Sequence, residues 1–389
     1  MATGPRPRAV APLLLLAAAA VGGGAVAEVA VRVYASVDEF FGTEIRSHDA
    51  LAVNIEPQGD FGFRPKPNSV FRYSNGTAAT INAMGYRGPL VAVPKPPGTF
   101  RVLLLGGSTT HGWKVNDDET IDAYLRAVVP RLYPGPRYEV VNLAFDGYDS
   151  NELVERLRHD GLLLAPDLVV VNAGVNDVSN ARIPDLRDRD PRTLLYAGIL
   201  AELREIERRG HPTLWTRLKH WSFALRLPGI IRSNLKARQA TATAAVRRPN
   251  PRAADFFERN LRRLADQLEA RDVPIVFSTE PSALTASYEL HDRSSRSYWV
   301  VDAATTQQYR DTLARRMERL ADELAGQGRP VRYLHANLPP DLFLDDCHLT
   351  PQGNRRMAAT LAVAIRPFMS PPRPQAAQHP AARSAPGQR

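Results

Sequence analysis

The sequence predicts an α/β fold, a three-layer sandwich around a parallel five-stranded sheet, and three observations point there. Apolar runs without alternation, among them residues 101–105 (RVLLL) and 168–171 (LVVV), suit strands buried on both faces. Between such runs the apolar spacing changes to the helical period, as in Phe257, Leu261, Leu264 and Leu268. Strand and helix patterns then alternate from residue 100 to 368, which predicts right-handed crossovers with helices on both faces of the sheet.

Composition agrees with one sizeable domain plus additions. The chain has 389 residues, 44% of them hydrophobic, which excludes a chain that is disordered throughout or fibrous. Its single cysteine, Cys347, excludes an intramolecular disulfide framework and a cysteine-based zinc cluster.

Residues 1–35 read as a signal or membrane anchor. Arg6 and Arg8 precede an apolar stretch, residues 9–27, at the edge of the length that spans a bilayer, about 20 residues. Ala25-Val26-Ala27 also fits a cleavage site, so an uncleaved single-pass anchor and a removed signal are both open. Arginines on the short N-terminal side would keep that end in the cytoplasm and put the domain outside it; a cleaved chain would be secreted or periplasmic. Residues 36–99, rich in Gly, Pro and Asn, read as a small β-containing extension. Asn75-Gly76-Thr77 fits a glycosylation acceptor, relevant only to a eukaryotic secretory setting.

From residue 100 the elements follow in order. Strand 101–105 leads to a helix over 120–132 behind the acids Asp117, Asp118 and Glu119. Strand 139–142 leads to a helix capped by Ser150, with Leu153, Val154, Leu157, Gly161 and Leu164 inward. Strand 168–171 is followed by an insertion, residues 180–252, too long for a bare loop. Strand 273–278, a helix through Tyr309, Leu313, Met317, Leu320 and Leu324, strand 331–334, and a last helix capped by Thr350 with Pro351 in its first turn complete the domain. The tail, 369–389, has no periodicity and is expected to be disordered.

The insertion carries the chain's charge. Residues 204–252 hold 12 Lys and Arg against Glu205 and Glu207, a surplus of ten, while the whole chain carries +9. Interleaved with Trp215, Trp221 and Phe223, these bases suit anionic lipid headgroups or an acidic glycan, or form a helical hairpin with a solvated arginine face that shades the site as a lid. No nucleic-acid partner is expected for an exported domain.

Four loops carry chemistry. The first strand stops at Gly106-Gly107-Ser108, where Ser108 would stand at the carboxyl edge of the sheet facing the binding crevice. The loop lacks the lysine of a nucleotide-phosphate cradle. An alcohol needs a base, and the base an acid partner, which the segment Asp345-Asp346-Cys347-His348 can supply. His348 is the base; Asp345 or Asp346 is its partner. Gly147 and Asn176, each in a loop after an apolar run, can offer a backbone N–H and a side-chain amide to an oxyanion shared with the Ser108 N–H. Cys347 is read as a small loop residue, and His111 as a residue of the rim.

The order Ser108, Gly147, Asn176, His348 resembles the SGNH, or GDSL-like, hydrolase family, over roughly residues 100–368. Gly174-Val175-Asn176-Asp177 and Asp345-Asp346-Cys347-His348-Leu349-Thr350 are the most specific parts. The resemblance implies flavodoxin-like strand order, a triad of Ser108, His348 and Asp345, and an oxyanion hole from Ser108, Gly147 and Asn176. It also implies an uncleaved anchor running into a stretch like Glu28 to Arg32, and likens residues 81–88 to a stretch that often precedes the first strand. One departure is that the Asp often found before the serine is Gly107 here.

The expected function is an extracytoplasmic serine esterase acting on short-chain acyl or glycan O-acetyl esters through an acyl-enzyme, with no metal or organic cofactor. Acyl transfer to a cell-surface glycan is the near variant, and a non-catalytic glycan-binding or assembly protein on the same fold is the alternative from another class.

Overall fold

The computed structural model describes residues 10–37, 45, 48–243, 249–284 and 303–369. The segment expected as a signal or anchor opens helix α1 (Val10–Val37), whose side chains are described from Val21; Val21, Val26, Val29, Val33 and Val37 are exposed. Among the described residues no helix is long and apolar enough to cross a membrane. Beyond residue 369 the expected disordered tail lies outside the described residues.

Two antiparallel hairpins follow, β1 (Ile55–Gln58) with β2 (Gly62–Pro65) and β3 (Val70–Arg72) with β4 (Ala78–Thr80). Phe63 and Phe71 carry their apolar faces onto the main domain, with ring centroids 5.2 Å from Tyr148 and 5.2 Å from Phe145 respectively.

The main sheet is β5 (Thr99–Gly106), β6 (Arg137–Asn142), β7 (Leu168–Ala173), β8 (Ile275–Thr279) and β9 (Val331–Leu334). All neighbours pair in parallel in the order β6-β5-β7-β8-β9, the flavodoxin-like order. Because side chains alternate across a strand, Leu103 and Leu105 point to one face and Val102 and Leu104 to the other. The first face is covered by α3 (Ser150–His159), α8 (Arg252–Glu269) and α9 (Ala303–Gly326), the second by α2 (Ile121–Leu132) and α10 (Pro351–Ala364). Both strand faces are therefore dry, which is why the strands read as continuous apolar runs.

Helix ends follow local chemistry, with one correction. Thr350 caps α10 by accepting the Gly353 N–H, as expected. The cap of α3 is Asp149, not Ser150: Asp149 accepts the Asn151 N–H while the Glu152 carboxylate accepts the Asp149 N–H, a capping box.

The insertion holds α5 (Ala197–Arg209), α6 (Leu214–Trp221) and α7 (Phe223–Thr243), after the short α4 (Val175–Asn180). The carboxylate of Glu28 on α1 accepts the Phe223 N–H at 3.0 Å and the Ala224 N–H at 2.9 Å, so α1 caps the start of α7. Arg32 donates to the Trp221 carbonyl at 2.7 Å, and the guanidinium groups of Arg32 and Arg226 each lie 4.7 Å from the Phe223 ring centre. On α6, Lys219 pairs with Glu202 and Thr216 is buried, while Leu214, Trp215, Leu218 and Trp221 face outward.

Candidate active site

Strand β5 delivers Ser108. Its last residue, Gly106, is followed by extended Gly107 and a single helical turn, Ser108–His111, at the carboxyl edge of the sheet. The turn is held by long-range bonds rather than by its own length. The buried Arg87 of the N-terminal extension donates to the carbonyls of His111 at 2.9 Å, Gly112 at 2.6 Å, Val115 at 2.8 Å and Ala78 at 3.1 Å, with its Nε 2.7 Å from Asp117. Asn142 at the end of β6 donates to the Thr110 carbonyl at 2.9 Å. Residues 81–88, for which the sequence suggested no chemical role, thus fasten the carbonyl end of the serine turn.

The loop before α10 brings His348 across. Its Nε2 lies 2.8 Å from Ser108 Oγ and its Nδ1 lies 2.7 Å from Asp345 Oδ2. The other Asp345 oxygen accepts the Cys347 and His348 N–H groups at 3.0 and 2.8 Å. Spacing left Asp345 and Asp346 open; here Asp345 faces the imidazole, whereas the Asp346 carboxylate lies 4.0 Å from Arg310. Burial would raise the Asp345 carboxyl, but the bond and charge of His348 with the two amides hold it below the ordinary carboxylate range. Burial would lower His348, yet its bond to Asp345, with the charges of Asp345, Asp146 and Asp346, raises it. Cys347 is buried and its thiol is pushed well up, first by burial and then by Asp346 and Asp345, so it stays protonated as a loop residue.

The oxyanion-side candidates come from the next two strand ends. Asn176, on the first turn of α4, donates to the Tyr148 carbonyl at 2.9 Å, which ties the β7 loop to the β6 loop. That nitrogen lies 2.6 Å from the place a Cβ on Gly107 would take, so a side chain there would displace the amide beside Ser108. Gly147 sits at φ +80° with Leu195 of the insertion over it; a Cβ there would meet Leu195 Cδ2 at 2.5 Å. Asp177, buried behind Asn176, accepts the Ser150 N–H at 3.1 Å.

Three residues escaped sequence reading. Trp113 stacks on His348 with centroids 4.2 Å apart, and Lys114 Nζ covers the indole at 4.3 Å. Glu280, one residue past β8, accepts the Val175 N–H at 2.8 Å with Oε2, and burial lifts its carboxyl to about 7. None carried a motif signal, since Trp113 and Glu280 meet their partners only through contacts far apart in the chain and Lys114 only covers its neighbour Trp113. His111 corrects the expectation of a rim residue. It is wholly buried, with Nδ1 2.9 Å from Asp146 Oδ1, because the helical turn carries its side chain inward.

The profile of the GDSL-like Lipase/Acylhydrolase family matches residues 104–356. Among solved structures, a Bacteroides fragilis protein described as a candidate acylhydrolase is 15% identical, covering 72% of this chain and 92% of its own at a TM-score of 0.39. An acetyl xylan esterase is 16% identical, covering 68% and 100% at 0.38. A lipase/acylhydrolase from Enterococcus faecalis is 14% identical, covering 71% and 100% at 0.38. No curated protein matches the chain.

Proposed function

Because the chain belongs to the GDSL-like lipase and acylhydrolase family and is an ester-cleaving hydrolase, we propose that Ser108 is its nucleophile, His348 its general base and Asp345 the partner of that base. Ser108 Oγ attacks the ester carbonyl while its proton passes to His348 Nε2; the alcohol leaves with that proton, and water resolves the acyl-enzyme by the same route. Asp345 holds Nδ1 and stabilises the imidazolium. The Ser108 and Gly147 N–H groups and the Asn176 amide receive the oxyanion. The proposed chemistry draws on no metal or organic cofactor. The observation that carries this reading is the continuous contact from Ser108 through His348 to Asp345, at 2.8 and 2.7 Å. Ser108→Ala should lower turnover of a short-chain nitrophenyl ester by about a millionfold and abolish fluorophosphonate labelling. Retained turnover defeats the assignment.

The proposed substrates are acetyl and other short-chain esters, O-acetylated glycans among them. A series of acetyl, butyryl and longer esters with an acetylated polysaccharide tests this: rising kcat/KM with acyl length overturns it. Release of free acid, rather than transfer to an added sugar, separates hydrolysis from acyl transfer. The proposed location is outside the cytoplasm, on a membrane held by the N-terminal segment. What supports it is the arginine-led apolar opening of α1, with the outward Leu214, Trp215, Leu218 and Trp221 on the α6 that runs up to the α1–α7 clamp.

A further inference from the structure

The reaction described above gives no part to Glu280, a buried ionisable group beside the nucleophile. Glu280 is 8% exposed and sits just past β8, whereas Ser108 follows β5 and Asn176 follows β7. Its Oε2 accepts the Val175 N–H at 2.8 Å. Its Oε1 lies 3.4 Å from the place a Cβ on Gly107 would occupy, the same place that is 2.6 Å from Asn176 Nδ2 and 3.3 Å from the Tyr148 carbonyl. The carboxyl, the amide and the backbone on the N-terminal side of the serine therefore meet around one point, and the missing side chain of Gly107 makes room for them.

We infer that Glu280 is the positioning residue of the oxyanion loop: by holding the Val175 N–H it fixes the turn that aims the Asn176 amide past Gly107 toward the carbonyl attacked by Ser108. The turn needs such a clamp. Gly174 stands at φ +127°, a conformation other residues avoid, and α4 is only six residues long, so its first N–H groups are not fixed by a long helix. Asn176 is restrained on one side by Tyr148; the Val175 bond restrains the backbone on the other. A shift of about 1 Å in such a donor is enough to cost on the order of 100-fold in rate.

The inference rests on the serine-hydrolase reading above, and the experiment separates the two. Glu280→Gln keeps an oxygen acceptor for the Val175 N–H; Glu280→Met keeps the shape and removes the acceptor, and its apolar side chain avoids leaving a buried charge unpaired. The full-length chain and both variants are assayed on nitrophenyl acetate and labelled with a fluorophosphonate. The expected result is a Met variant with kcat lowered roughly 10- to 100-fold and KM within about twofold, because an oxyanion donor acts in the transition state and little in the ground state. The Gln variant is expected within about fivefold of the parent kcat. A Met variant with parental kcat, whatever its melting temperature, overturns the inference, as does a Gln variant as impaired as Met, which would assign the effect to the charge and not to the amide contact. If the unaltered chain neither labels nor turns over ester, it is the parent reading that fails.

Discussion

At the scale of single residues, the proposed mechanism makes the imidazole of His348 the group that sets the pH behaviour. In the proposed mechanism only its neutral form takes the proton of Ser108, and Asp345, with Asp146 and Asp346 behind it, holds the proton on the ring to a higher pH than usual. The acid limb of kcat/KM should therefore lie above the ordinary histidine value of about 6.5. Asp345→Asn removes the largest stabilising contact of the cation, so the limb should move to lower pH while kcat falls by up to about 10⁴ as the tautomer is lost. A limb that stays in place in Asp345→Asn would show that another group titrates. Ser108 and His348 stood out in the sequence as candidates because acyl transfer restricts residue type and an acid–histidine pair can close within one loop. The partner of the histidine did not, since one loop can present either of two adjacent carboxylates and only the fold decides between them. His111 misled for the opposite reason: three residues from Ser108 in sequence, it lies across a helical turn and points inward.

At the scale of elements, the strand runs and the capping signals carried the sheet and its helices, since both are written in consecutive residues. What sequence could not give is how the N-terminal extension holds the Ser108 turn, because Arg87 meets its four carbonyl partners only after the chain has folded back. Arg87 is 1% exposed, and removing it leaves those carbonyls without their donor in a dry site. Arg87→Met should destabilise the domain by roughly 3 kcal/mol, on the order of 10 °C in melting temperature, and lower kcat by loosening the Ser108 turn. Arg87→Lys should recover little, because a single ammonium cannot span carbonyls that a planar guanidinium reaches at once. A lysine variant with full stability and activity would mean that charge alone holds the turn.

At the scale of the whole molecule, the basic insertion was visible as a local charge excess, but whether that charge is solvated could not be read before pairing was known. The structure spends part of it internally: Arg208 and Arg209 face Glu205, Lys219 faces Glu202, and Arg226 lies 2.6 Å from Asp49. Among the described side chains, Arg217 and Arg232 face outward, as does the apolar face of α6, where Trp221 is 80% and Leu214 73% exposed. Indole rings and short apolar side chains beside cations are the composition of a surface that rests in the headgroup layer, so the proposed membrane location makes a spectroscopic prediction. In vesicles containing about one third anionic lipid, brominated acyl chains should quench tryptophan emission of the full-length chain, more strongly than in zwitterionic vesicles and less so as salt screens the attraction. Trp215→Phe with Trp221→Phe should remove most of that quenching, leaving as emitters Trp299 and Trp113, the latter stacked between Lys114 and His348. Equal quenching in the double variant would detach α6 from the bilayer and leave its exposed face for another occupant.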